Sequence, residues 1–129
     1  MGFIRILSLI FMISCASAVS MQRIPTGVWG GNHIRLEVES KSANVEYDCA
    51  HGVIEGPLDV DANGRFSLRG TLTPERGGPV RSDETPRSLS VTYSGFIRGE
   101  KMVLTVKLPD GDETFTLEKG KEANLFKCK

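Results

Sequence analysis

Cys49 and His51 stand two positions apart in Asp48-Cys49-Ala50-His51, the nearest approach in this chain to a thiol–imidazole pair. A thiol nucleophile needs a base within reach and must be free to ionise. Cys128 competes for the same sulfur. With Cys15 set apart in the first 18 residues, Cys49 and Cys128 form an even pair, and a disulfide between them removes the nucleophile. No Cys-x-x-Cys pair and no basic neighbour favours the alternative of a reactive thiol or a thiolate metal ligand. His33 and His51, with Asp48 or Glu37 as an oxygen donor, are the other candidate constellation. Two imidazoles and a carboxylate suit zinc or a similar ion. The competing reading is two solvated histidines at strand ends, and by parity His33 falls on the polar face of its strand. The sequence holds no Gly-x-Ser-x-Gly, no His-Glu-x-x-His and no phosphate-cradling glycine loop. The expectation is therefore a non-enzymatic protein without a cofactor.

The first residues describe where such a chain goes. Arg5 supplies one positive charge, Ile6 to Ile13 is apolar apart from Ser8, and Ala16-Ser17-Ala18 ends in small residues. That order is the secretory signal pattern, and the run is much shorter than the roughly 20 residues of a spanning helix. Cleavage behind Ala18 leaves residues 19–129 as a single domain, secreted or periplasmic, with no transmembrane span. Met12-Ile13-Ser14-Cys15 also resembles a bacterial lipoprotein box, which gives a second expectation of an envelope protein anchored through lipidated Cys15. The whole chain has 16 basic and 16 acidic residues. That balance argues against nucleic acid or an anionic membrane as the main partner, since both select basic surfaces.

The elements that must position these residues read as strands. No stretch of 11 residues carries a 3.6-residue apolar period, whereas alternation of period two recurs. Ile34, Leu36 and Val38 share one face, as do Val45, Tyr47 and Cys49. Gly52 to Val60 reads as a weaker strand interrupted at Gly56-Pro57, a bulge or an edge. Asp61-Ala-Asn-Gly64 is a turn. Phe66 with Leu68, then Leu89 with Val91 and Tyr93, alternate with polar residues. Gly99-Glu100 and Pro109-Asp110-Gly111 turn the chain around the strand from Met102 to Leu108. Phe115 with Leu117 follows, and a last strand carries Phe126 and Cys128. About eight short antiparallel strands predict an up-and-down β-barrel, with a β-sandwich as the alternative. Its interior is expected to hold Ile34, Leu36, Val45, Tyr47, Phe66, Leu68, Val91, Tyr93, Leu104, Val106, Phe115 and Phe126. Residues 73–87, with three prolines and a Gly-Gly pair, read as a long surface loop or a binding loop.

Gly27-Val28-Trp29 opens the first part of this meander, and a Gly-x-Trp there is similar to the start of lipocalins and their calycin relatives. The resemblance implies that Trp29 plugs one barrel end and that a basic residue from late in the chain, here Lys127, packs across it. Gly95 to Val106 also resembles hairpins of small exported bacterial barrels. The functions implied are binding of a small apolar molecule inside the barrel or of an extracytoplasmic protein at its rim. Inhibition of a secreted hydrolase is one form of the latter. A monomer is expected, and a small His33–His51 metalloprotein is a further alternative.

Overall fold

In the computed structural model, residue 2, residues 21–75 and residues 87–128 are described. The export segment, Cys15 and most of the 73–87 loop lie outside them. Ten strands follow in order: β1 (Gln22–Arg23), β2 (Gly27–Gly31), β3 (Ile34–Val38), β4 (Ser42–Tyr47) and β5 (Ala50–Glu55). They continue with β6 (Asp59–Val60), β7 (Arg65–Pro74), β8 (Leu89–Arg98), β9 (Lys101–Leu108) and β10 (Gly111–Lys119). Eight of them close a barrel in the order β10-β2-β3-β4-β5-β7-β8-β9, every pairing antiparallel. No helix occurs among the described residues, and none there could cross a membrane as a helix. Closure pairs every barrel strand on both sides, which removes the exposed edges that an open sheet would carry.

The closing strand differs from the one expected. β2, with Trp29 inside it, bridges β3 and β10, so Gly27–Gly31 is the eighth barrel strand. Phe126 and Cys128 belong to no strand, and Phe126 is 65% exposed rather than interior. The run from Gly52 to Val60 is two elements. The chain leaves the barrel after Glu55 through Gly56 at φ 90°. β6 then pairs with β1 instead of with the barrel. This excursion is productive, because Leu58 and Val60 are buried against the core and close one end. The Ile24 N–H donates to Leu58 O and ties the segment after β1 to the same cap. The Asp61–Gly64 turn forms as read. Asp61 Oδ1 accepts the backbone N–H of Asn63 and Arg65 at 2.8 and 2.9 Å, and Gly64 takes φ 74°.

Inward residues fill the barrel. Ile34, Leu36, Ile54, Tyr93, Met102, Leu104, Val106 and Leu117 have no accessible surface at all. A side chain beyond the reach of a water-sized sphere cannot border a void of that size, so no such void touches these eight. Interiors of small barrels are normally filled in this way. The Tyr93 hydroxyl donates to Thr71 O at 2.7 Å, and the Tyr47 hydroxyl is buried near it. Burial pushes both phenols up, so both stay neutral.

Room for Tyr93 comes from Gly70, where a Cβ would collide with the Tyr93 ring and with Val53 O. Gly70→Ala is therefore expected to cost about 1–3 kcal/mol by overpacking. A chemical denaturation midpoint equal to that of the wild type would contradict this account of the close approach.

The outer face of β7–β9 has its own composition. Arg65, Arg69, Arg98, Lys101 and Lys107 point outward there with Ser67, Ser94 and Thr105, and no outward carboxylate stands among them. In register, Arg65 lies opposite Phe96, and Phe96 opposite Val103. Lys101 and Lys107 face Glu118 and Asp112 on β10, whereas Arg65 and Arg98 have Phe96 and Lys101 as their register partners.

Candidate functional site

The end opposite the Leu58–Val60 cap is built from the β2–β3 turn, the β4–β5 turn, the end of β7 and the chain after β10. Register sets Gly31 opposite Ile34, so Asn32 and His33 form a two-residue turn. His33 has φ 67°, the one positive φ of a non-glycine residue in the described chain. Histidine tolerates this region better than most side chains, yet it still costs free energy relative to glycine.

After β10 the chain turns at Gly120 and returns along the outside of β2. Gly30 makes that path available, because a Cβ there would strike the backbone of Lys121 and Ala123. Asn124 bridges Asn32 in parallel, its N–H donates to Gly31 O, and the His33 N–H donates to Asn124 O. The tail reaches the rim, where Cys128 is bonded to Cys49 with Cα atoms 5.3 Å apart. The disulfide expected from cysteine arithmetic is thus present, and it removes the Cys49 thiol from chemistry.

Two carboxylates flank the disulfide, and each orients an imidazole. Asp48 Oδ2 lies 2.6 Å from His33 Nδ1, and Asp48 Oδ1 accepts the Phe126 N–H at 2.8 Å. Glu75 Oε1 lies 2.9 Å from His51 Nδ1, and Glu75 Oε2 accepts from Lys127 Nζ at 2.9 Å. Lys127 Nζ also donates to Tyr47 O, at the end of β4. The Phe126 ring lies against His33, centroids 5.7 Å apart. With Nδ1 of each ring engaged by a carboxylate, Nε2 is the ring nitrogen left for other contacts. The two histidine side chains are 57% and 50% exposed.

The Phe126 backbone N–H, and then His33, hold the Asp48 carboxyl below its ordinary range. Lys127, and then His51, do the same for Glu75. A carboxyl lowered in the folded state contributes stability above its ordinary value, and that contribution is lost as pH falls through the lowered one. The tail is therefore expected to stay docked at neutral pH and loosen only in acid. Followed by NMR, the Phe126 amide should titrate with a midpoint below about 3.9, the ordinary value for Asp. A midpoint at or above that value would overturn the assignment.

Placement of the other expected residues is mixed. Trp29 is buried and borders a concavity of about 460 Å³ at the capped end, together with Ile24, Val60 and Lys119. Lys127 is at the opposite rim on Tyr47 and Glu75, so it does not pack across Trp29. Lys119, register partner of Trp29 on β10, is the late basic residue that shares its surroundings. His33 and His51 pair with different carboxylates, and Glu37 is bonded by Arg35 at 3.2 Å. Among the described residues, no group of three His, Cys, Asp or Glu side chains is placed to share an ion. Glu75 and the exposed Phe126 were not legible as site residues. Period-two reading placed Phe126 inside, and nothing in the sequence around Glu75 distinguishes it from loop charge.

The fold and rim define a class: a closed eight-stranded up-and-down barrel with a disulfide-pinned tail carrying a histidine–carboxylate rim. Compared with family models, curated proteins and solved structures, the chain matches none.

Proposed function

We propose that this is an exported, non-enzymatic binding protein that engages an extracytoplasmic protein with the rim around His33, Asp48, His51, Glu75, Phe126 and Lys127. The observation that carries the reading is the filled interior. Eight inward side chains without accessible surface leave no room among them for an apolar guest, which favours the rim over the small-molecule alternative. The rim offers what a protein contact uses: an exposed aromatic on a fixed backbone, two oriented imidazoles and an ammonium. The disulfide fits an oxidising, extracytoplasmic compartment, and residues 1–18 supply the export signal for reaching it. Kinship with lipocalins is part of the same proposal, supported by the barrel topology and by Gly27-Val28-Trp29 opening β2.

The test is paired capture from the protein's native extracytoplasmic extract. The wild type should retain a partner that the His33→Ala/Phe126→Ala variant loses, while Arg23→Ala at the capped end retains it. Stoichiometric binding of a fluorescent long-chain fatty acid would overturn the rim reading in favour of a carrier.

A further inference from the structure

The second site lies away from the rim and does not depend on it. On the outer face of β7–β9, a concavity of about 510 Å³ is lined by Arg65, Ser67, Ser94, Phe96 and Thr105, with Asp61 also on its lining. The Arg65 and Arg98 guanidinium carbons stand 5.9 and 5.6 Å from the centroid of the Phe96 ring. Stacking of this kind fixes a guanidinium's plane while leaving its N–H edge free to donate. Among the described residues, no carboxylate forms an ion pair with either arginine. Asp61 sits nearby, but its Oδ1 is occupied by the backbone N–H groups of Asn63 and Arg65. Ser67, Ser94 and Thr105 lie side by side across three strands and set a row of hydroxyls beside the cations, that of Thr105 also sharing a hydrogen bond with Thr114 at 3.2 Å.

We propose that this concavity binds an oxyanion-bearing saccharide, a sulfated or carboxylated sugar chain. Arg65 on the lining, and Arg98 beside it over the Phe96 ring, take the oxyanion through the fork geometry that suits such groups, and the hydroxyl row hydrogen-bonds the sugar. Charge complementarity selects the anion, because β7, β8 and β9 carry cations and no carboxylate of their own in a chain whose formal charge is balanced, and Asp61 is the one acid on the lining. The hydroxyls select a polyol. Single-stranded nucleic acid is disfavoured, because it needs successive aromatic platforms for its bases. Phe96 is the one aromatic residue pointing outward on β7–β9, and guanidinium groups already lie over its ring.

The experiment is NMR titration of the disulfide-intact protein with three probes: a heparin-derived hexasaccharide, an oligogalacturonate and a single-stranded oligonucleotide. One or both saccharides should shift β7–β9 amides saturably and bind more weakly as salt rises. The two saccharide arms separate sulfate from carboxylate recognition. Arg65→Ala/Arg98→Ala should weaken the binding about tenfold or more, the loss expected for charged hydrogen bonds. Arg23→Ala, which removes one charge at the capped end, should leave it unchanged. Melting curves confirm that each variant folds. The proposal is overturned if neither saccharide shifts these amides, if the double variant binds equally well, or if the oligonucleotide binds more tightly than both saccharides.

Discussion

Replacing Cys49 and Cys128 by Ala is expected to lower the melting temperature by on the order of 15–20 °C. The bond spans 79 positions. Closing a loop of that length in the unfolded chain corresponds to about 4–5 kcal/mol in the chain-entropy model. For a domain of this size each kcal/mol moves the melting temperature by roughly 4 °C. Nothing else at the rim comes close. The His33–Asp48, His51–Glu75 and Lys127–Glu75 contacts are all substantially exposed, and such pairs contribute about 0–1 kcal/mol each. The main-chain bonds from Asn124 and Cys128 hold the tail in place but constrain only the folded state. Calorimetry of the oxidised wild type against the double variant checks the expectation. A drop of less than about 5 °C would mean that the unfolded chain is already compact enough for the bond to remove little entropy.

Trp29→Ala should be nearly as damaging, at about 3–5 kcal/mol, the usual cost of removing a large aromatic from a packed interior. Trp29 is 2% exposed and sits where β2 joins β3 to β10, so the vacancy would open at the seam of the barrel. Trp29→Phe separates packing from polarity. The indole Nε1 is buried without a hydrogen-bond partner, and an unsatisfied buried donor costs about 1–3 kcal/mol. Phenylalanine removes that donor together with part of the ring, so the two changes offset each other. A loss below about 1.5 kcal/mol is expected from urea unfolding. If Trp29→Phe proves as costly as Trp29→Ala, the indole N–H has a partner in solution, and a buried water is the natural one.

How far the fold could be read in advance follows from which forces are local. Alternation along Ile34–Val38, Val45–Tyr47 and Met102–Leu108 reports a face, and each of these runs is buried as read except at Leu108, which is half-buried. Turns with their own chemistry, such as Asp61–Gly64, were equally plain. β2 was obscured because Gly30 and Gly31 carry no side chain to show alternation; their role is to let the tail and β10 approach closely. Phe126 misled because the period of a strand was extended into a segment held by a disulfide and main-chain bonds to turns rather than by a ladder. At the rim, His33, His51 and Asp48 could be singled out as residue types. Their division into two separate pairs depends on Glu75 arriving from β7, a contact 24 positions from His51 that no local pattern encodes.

The disulfide also decides how the molecule answers a mechanical pull. With force applied between Met21 and Cys128, the covalent path of the load runs through the Cys49–Cys128 bond, and β5 to β10 sit inside a covalent ring off that path. Only the chain from Met21 to Cys49 can pay out, about 90–100 Å at full extension. The ring holds in reserve a further contour of roughly 260–280 Å that a reductant alone releases. Across a stretched envelope or against a motor that threads unfolded chains, six of the ten strands of the described residues are thus a closed link rather than a thread.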